Sequence, residues 1–269
     1  MFPAAGLLAP IRQFVPRNFN IRNSVDLGDG LVLAERGGIQ VRIANKKQSR
    51  SFYRLRKKVF GKEYQGKIFN FGLDVDEYDF GAEQIVLLDK NSGKVIGGYR
   101  AIVSENIRQY YSADEFELEK FWKLPGKKLE LSRACISEKY RNGVTLSLLW
   151  RGVLSYAFHR QVAFICGIPS VKTTCPKEAK MVYELFAKKG YTGPVLAEPK
   201  PEFSTFGAPT AESLQREPES MIPPLMKTYL KAGSKICSVG AIDHSFGCVD
   251  FFTVLKMADL DQRYRNKFG

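Results

Sequence analysis

Arg56-Lys-Lys-Val-Phe60, Asp76-Glu-Tyr-Asp79, Gly97-Gly-Tyr-Arg100 and Glu130-Leu-Ser-Arg133 follow one another along a single stretch, separated by strand-like runs. Arginines and carboxylates delivered in this order by consecutive elements point to one polar site. The runs between and after them set the fold. Residues 84–88 and 94–103 read as strands joined by the turn Asp89-Lys-Asn-Ser-Gly93, and 129–136 as another. After Asn142-Gly143 the period becomes helical, with Leu146, Leu149, Trp150, Val153, Leu154, Ala157 and Phe158 on one face. Residues 162–168 then read as a buried strand. Residues 177–189, opened by Pro176 and closed by Gly190, read as a second helix. Strand, helix, strand, helix predicts a βαβα unit joined to an antiparallel sheet. The expected class is α/β (α+β), a mixed central sheet flanked by helices.

Upstream, 31–34 and 39–44 alternate like a hairpin around Gly37-Gly38. Ser49 is the expected N-cap of a helix carrying Phe52, Leu55, Val59 and Phe60. Residues 1–24 place Leu7, Leu8, Ile11 and Phe14 near helical spacing while prolines 3, 10 and 16 limit its length. This lead lies on a membrane surface or packs on the core. Downstream, 200–224 reads as a long loop, and Pro223-Pro224 open a short helix, 225–232, closed by Gly233. Strands at 235–242 and 249–255 and a polar helical tail at 258–267 complete the chain. The expected division is a lead with the first strands, 1–45, and one domain with a C-terminal extension, 46–269.

At 269 residues and 44% apolar, the chain can bury one large core or two modest ones. No apolar run approaches the roughly 20 residues that cross a bilayer. The first residues lack the basic start of a secretory signal, so a cytoplasmic location is expected. Five cysteines without a Cys-x-x-Cys pair argue against a disulfide framework, and with only two histidines no metal cluster is expected. The formal charge of +13 calls for an anionic partner. Nine of the basic residues fall between Arg42 and Lys62 with no acid among them. That density suits nucleic acid, an anionic membrane surface or an acidic carrier protein. The absence of a stacking-aromatic and basic array argues against nucleic acid.

Other chemistry is poorly supported. Asp243-His244-Ser245 has the residue types of a nucleophilic triad, but such groups converge from distant segments. His159 falls near a helix C-terminus, where an imidazole is electrostatically at ease. There is no Walker loop and no dinucleotide fingerprint. The strand-turn-helix through Arg141, Asn142, Gly143 and Thr145 is different, because free N–H groups at a helix start attract phosphate. It either holds a phosphopantetheine or pyrophosphate arm or is a plain Asn-Gly turn.

Arg56-x-x-x-Phe60, Asp76-x-x-Asp79, Arg100 and Glu130-x-Ser-Arg133 resemble the acyl-homoserine-lactone synthase branch of the GNAT-like acyltransferases. Trp150 in Leu-Leu-Trp-Arg-Gly, the block Ile222-Pro-Pro-Leu to Gly233, Ala241-Ile-Asp243 and Asp250-Phe-Phe252 resemble the hemolysin-like N-acyltransferases that include ornithine lipid synthases. The resemblance covers residues 50 to 268. It implies a GNAT-like fold and transfer of a fatty acyl group from acyl carrier protein to the α-amine of an amino acid such as ornithine. The donor would be a 4′-phosphopantetheine thioester acting as co-substrate, with no bound cofactor, and the enzyme would contact the inner face of the membrane peripherally. A homoserine-lactone-type signal synthase, or a non-catalytic basic module binding acyl carrier protein or membrane, are the alternatives.

Amine attack on a thioester needs a base and an N–H donor for the oxyanion, which in GNAT folds comes from the strand before the phosphate-binding turn, here 129–136. The resemblance casts Glu130 as the base or amine-orienting carboxylate, with Asp76 and Asp79 attracting the ammonium. Arg100 and Arg133 would bind the acceptor carboxylate or hold these acids. Arg56, Phe60, Gln84 and Trp150 are expected to line the substrate site. An internal ion-pair network is an equally physical reading of the same charges. Hemolysin-like members commonly carry a histidine just after Asp-x-x-Asp; Gln84 stands there here and cannot take a proton at neutral pH. Either Glu130 supplies the base or the chain has lost the activity.

Overall fold

A computed structural model describes residues 30–63, 72–106, 109–204 and 217–262. The sequence-expected lead at 1–24, residues 205–216 of the loop at 200–224 and the end of the tail at 258–267 lie outside them. The hairpin forms as β1 (Val32–Arg36) and β2 (Ile39–Ile43). Helix α1 (Lys46–Glu63) comes next. Its cap is Asn45 rather than Ser49: Asn45 Oδ1 accepts the N–H of Gln48 at 3.0 Å, and Gln48 Oε1 accepts that of Asn45 at 3.1 Å. This reciprocal box satisfies two N–H groups that a helix start leaves open, which a lone Ser49 one turn later could not do.

Strands β3 (Glu83–Asp89) and β4 (Lys94–Val103) form the second hairpin. After β5 (Phe116–Glu117) and the single turn α2 (Glu119–Trp122) come β6 (Lys128–Ile136), α3 (Gly143–His159) and β7 (Phe164–Gly167). Strand β8 (Ser170–Val171), α4 (Pro176–Lys188), β9 (Glu198–Pro199), α5 (Pro218–Met221) and α6 (Pro224–Ala232) succeed them. The expected strands at 235–242 and 249–255 each break in two. They become β10 (Lys235–Ile236), β11 (Ala241–Asp243), β12 (Cys248–Asp250) and β13 (Thr253–Lys256). The break lets one apolar run serve two sheets: β10 and β13 complete the main sheet, while β11 and β12 pair with β8 in a small antiparallel one. The described start of the expected tail is a 3-10 turn, Met257–Asp259.

The main sheet runs β1-β2-β3-β4-β6-β7-β13-β10, antiparallel except where β6 and β7 run parallel. That parallel step is the βαβ crossover through α3. Helix α3 covers one face, over Val41, Ile85, Tyr99 and Leu129. Helix α1 covers the other, over Val86 and Cys135. Contact on the α3 side is so close that a Cβ on Gly152 would lie 2.2 Å from the Val41 side chain. Among the described residues no helix is long and apolar enough to cross a membrane.

Two irregularities of β6 open the sheet and turn one of its side chains. Its ladder to β7 spans only Lys128–Glu130 opposite Phe164–Cys166, after which the strands part. On its other side, Gly98 and Arg100 of β4 face Cys135 and Ser132, so β6 carries one extra residue there. Arg133 sits in this bulge at φ 52°, left-handed backbone that a branched or long side chain seldom adopts. Such a bulge bends its strand and re-aims a side chain.

Candidate active site

Where β6 and β7 part, a cleft of about 510 Å³ opens between them. Ser132, Arg133, Phe60 and Tyr111 line it on the α1 side of the sheet, and Tyr99, Trp150, Leu131 and Tyr229 on the α3 side. Met221, Leu225, Met226 and Leu255 make the far wall apolar. Along the cleft, the β7-facing edge of β6 from Leu131 onward has no strand partner among the described residues.

Beside the cleft, the four sequence clusters do converge. Arg56 is fully buried and donates from Nε to Asp74 at 2.9 Å and, through both terminal nitrogens, to the two oxygens of Asp79 at 2.6 and 3.0 Å. Gln84 Nε2 donates to Asp79 at 3.2 Å. Arg100, also fully buried, donates to Asp76, to Asp79 at 3.5 Å and to Ser132 Oγ at 2.8 Å. Arg133 Nη2 reaches the other Asp76 oxygen at 2.9 Å. Burial alone would raise the Asp76 carboxyl, but Arg100 and Arg133 outweigh it and hold that group well below the usual carboxylate range. Asp76 and Asp79 also cap the turn Glu77–Gly81 reciprocally. Both carboxylates are therefore committed to arginines and N–H groups, so as placed they brace the arginines rather than wait for an ammonium.

Glu130 lies apart from this network. It is fully buried and does not line the cleft. One oxygen accepts the N–H of Tyr111 at 2.9 Å, the other the N–H of Ser112 at 2.8 Å and its hydroxyl at 2.5 Å. Burial raises its pKa against the pull of these donors. The geometry therefore argues against Glu130 as the base that meets the amine: its lone pairs are spent fixing the turn Tyr111–Asp114. That turn carries Tyr111, whose ring lies 4.9 Å from the Arg133 guanidinium and 5.3 Å from that of Arg100.

Of the expected substrate-lining residues, Phe60 and Trp150 line the cleft, whereas Arg56 and Gln84 lie behind it. Gln84 keeps one buried oxygen, Oε1, without a partner. Trp150 packs on Tyr229 with ring centroids 5.0 Å apart, and its buried Nε1 has no partner either. The segment from Arg141 to Thr145 is outside the cleft. Arg141 is occupied by the Ile136 carbonyl at 2.8 Å and by Glu63 at 2.6 Å, and the Asn142 side chain caps the N–H of Thr145 at 2.9 Å. The first helical N–H groups, at Gly143 and Val144, remain for an anion, and nothing lies within 4 Å of a Cβ built on Gly143.

Over 253 residues the chain is 26% identical to an L-ornithine N(alpha)-acyltransferase of Agrobacterium fabrum, covering 87% of this chain and 86% of the relative. It is 25% identical over 262 residues to the protein of the same name from Brucella abortus, covering 90% and 92%. Residues 55–151 match the family model for the acetyltransferase (GNAT) domain. That segment is a GNAT domain, and the likeness to N-acyltransferases runs along most of the chain. Solved structures similar to this chain include BjaI, a CoA-dependent acyl-homoserine lactone synthase, with SAM and isopentyl-CoA. There the TM-score is 0.49 at 14% identity, over 83% of this chain and 81% of that one. FeeM, an N-acyl amino acid synthase from uncultured soil microbes, gives 0.43 at 11% identity, over 85% and 92%.

Sequence reasoning missed several residues of the candidate site. Asp74 completes the Arg56 clamp, and Ser132 holds Arg100. Ser132 falls inside the quoted Glu-Leu-Ser-Arg motif, so its strand alternation with Glu130 was available as a signal. Asp243 and Asp250 fall in quoted motifs that assign them no role, and Tyr111 and Glu115 come from a segment with no local pattern that singles them out.

Proposed function

We propose that this N-acyltransferase moves a fatty acyl group from acyl carrier protein to the α-amine of an amino acid, ornithine being the favoured acceptor, to give a lyso-ornithine-type lipid. The observation that carries this reading is the cleft at the β6–β7 parting, apolar on one wall and charged on the other. An acyl chain would lie against Met221, Leu225, Met226 and Leu255, with its thioester beside the unpaired edge of β6. A main-chain N–H there would stabilise the oxyanion as the amine adds and the pantetheine thiolate leaves. Arg133, with its buried Nε lacking a partner, would take the acceptor carboxylate. Glu130 acts here as a positioning residue, through the turn that carries Tyr111.

The choice of a carrier-protein donor is supported by α1. Lys46, Arg50, Arg54, Lys58 and Lys62 are all exposed and recur every fourth residue, which aligns them as one basic ridge. An acidic carrier would be steered to that ridge, and a peripheral membrane contact would use the same charge. The test is mass spectrometry of products formed from acyl-carrier-protein and acyl-CoA thioesters with a panel of amino acids. An N-acyl amino acid formed preferentially from the carrier thioester, with turnover falling as salt screens the ridge, is the expected result. No acylated acceptor from either donor overturns the proposal.

A further inference from the structure

Across the cleft from Arg133 stand three buried carboxylates that the arginine network does not use. Asp243 ends β11, Asp250 ends β12, and Glu115 comes directly after the turn that carries Tyr111; each is 5% exposed or less. Asp243 and Asp250 line the cleft, and the ligand oxygens of all three lie within 4.8 Å of one another. Among the described residues none of the three is ion-paired. The partners of Asp243 are the N–H and hydroxyl of Ser245 and the N–H of Phe246. Asp250 Oδ2 takes the Cys248 thiol at 3.4 Å, while Asp250 Oδ1 and Glu115 Oε2 are buried with no N–H or hydroxyl donor among the described residues, and the two carboxyls stand close enough to share a proton. In a chain of net charge +13, this buried acidic cluster meets no cation among the described residues.

Orphaned acceptors of this kind cost free energy until a donor arrives. Oxygens no more than 4.8 Å apart leave a central atom at most about 2.8 Å from each, within the reach of an N⁺–H···O⁻ bond. An ammonium, with three N–H donors for three carboxylates, fits. Tyr111 packs its ring against Arg133, and Glu115 and Asp250 act electrostatically on its hydroxyl. The cleft thus presents Arg133, whose Nε has no partner among the described residues, together with acidic groups that no described cation meets.

We infer that Glu115, Asp243 and Asp250 form the subsite for the distal ammonium of a dibasic amino-acid acceptor. The inference rests on the α-amine acylation proposed for this cleft and adds to it the residues that select the acceptor. With its side-chain ammonium held here, a diamino acid directs its α-amine, not its distal amine, to the thioester. A neutral acceptor of the same length would leave the carboxylates unpaired.

The test compares L-ornithine with L-norvaline, which has the same carbon chain without the distal amine. Calorimetric binding to the full chain without donor is measured beside the ratio of kcat/KM values with donor. Ornithine should bind about 10- to 100-fold more tightly, as expected for a charge-assisted bond to a buried acceptor, and Asp250→Asn or Asp243→Asn should bring the ratio toward one. Equal binding of the two by the unaltered protein overturns the inference. So does a ratio that persists in both variants once circular dichroism shows them folded. Mg²⁺ or Ca²⁺ alone competing with ornithine would make this a metal site and overturn it too. Preferential ornithine binding with no acylated product from either acceptor would uphold the subsite while overturning the reaction.

Discussion

Glu130 holds Ser112 twice, accepting its N–H at 2.8 Å and its hydroxyl at 2.5 Å with the same oxygen. A residue expected to handle the substrate's proton is instead an anchor between β6 and the turn that carries Tyr111 to the cleft.

Replacing Glu130 with Gln separates these roles. The amide keeps one acceptor oxygen and turns an NH₂ toward an N–H that needs an acceptor, so the buried turn loses about 2–4 kcal/mol. Urea unfolding should register this loss. The pH dependence of kcat should keep its shape while its height falls. Disappearance of an ionisation limb in the variant would restore Glu130 as the base.

The Arg56 clamp should be among the least tolerant points of the fold. Asp79→Asn removes the bidentate partner of a fully buried guanidinium and a neighbour of Arg100. A cost of about 3–5 kcal/mol is expected from an uncompensated buried charge. Thermal or denaturant unfolding checks it, and a loss under about 1 kcal/mol, the size of a surface pair, would contradict the clamp.

Gly167 marks where the strands part. A Cβ there would lie 2.6 Å from the Leu131 carbonyl oxygen, so Gly167→Ala must displace β6 or β7 beside the proposed thioester site. Misplacement by about 1 Å costs on the order of 100-fold in turnover. The expected outcome is a drop in kcat larger than the change in acceptor KM. Unchanged kcat would mean the chemistry happens elsewhere.

Stability should fall as pH rises between about 4 and 6. Burial, only partly offset by Ser170, Cys248 and Glu115, pushes Asp250 from 3.8 up to about 6, and burial beside Asp250 and Asp243 raises Glu115 to about 10. Across that window the folded protein keeps a proton on Asp250 that the unfolded chain releases, so ionisation works against folding. The two-unit shift of Asp250 corresponds to roughly 3 kcal/mol. Asp76 acts with the opposite sign: its depressed pKa contributes stability above about 4 that is lost on acidification. Melting temperatures from about pH 4 to 8 should decline in the unaltered protein and decline less steeply in Asp250→Asn, where Glu115 alone keeps a raised pKa. Saturating ornithine should reverse the decline if the carboxylates receive its ammonium.

The sheet and its helices were legible because their signals are local. Short strand-like runs on either side of an Asn-Ser-Gly turn mark β3 and β4, an unbroken apolar face marks α3, and Asn142 with Gly143 marks its start. The convergence of Arg56, Asp76, Asp79, Arg100 and Arg133 was legible too, since strand order fixes which charges become neighbours. What side chains do on arrival was not. Whether a carboxylate faces a cavity or a backbone N–H depends on a turn such as Tyr111–Asp114, whose position is set by packing against distant elements. The breaks between β10 and β11 and between β12 and β13 escaped for the same reason: a sheet change inside an apolar run leaves the local pattern intact. The carboxylate trio results from that change, because β11 and β12 bring Asp243 and Asp250 together.

The single extra residue in β6 at Arg133 bends the strand and delivers the guanidinium at one stroke. The spacing between Ser132 and Cys135 therefore matters in its own right, apart from the identity of any side chain. A chain one residue shorter there could keep every charged group of the site and still zip β6 onto β7, leaving no room for a substrate. For assigning activity to similar chains, a one-residue gap at this place would be a stronger warning than a substitution within any of the four motifs.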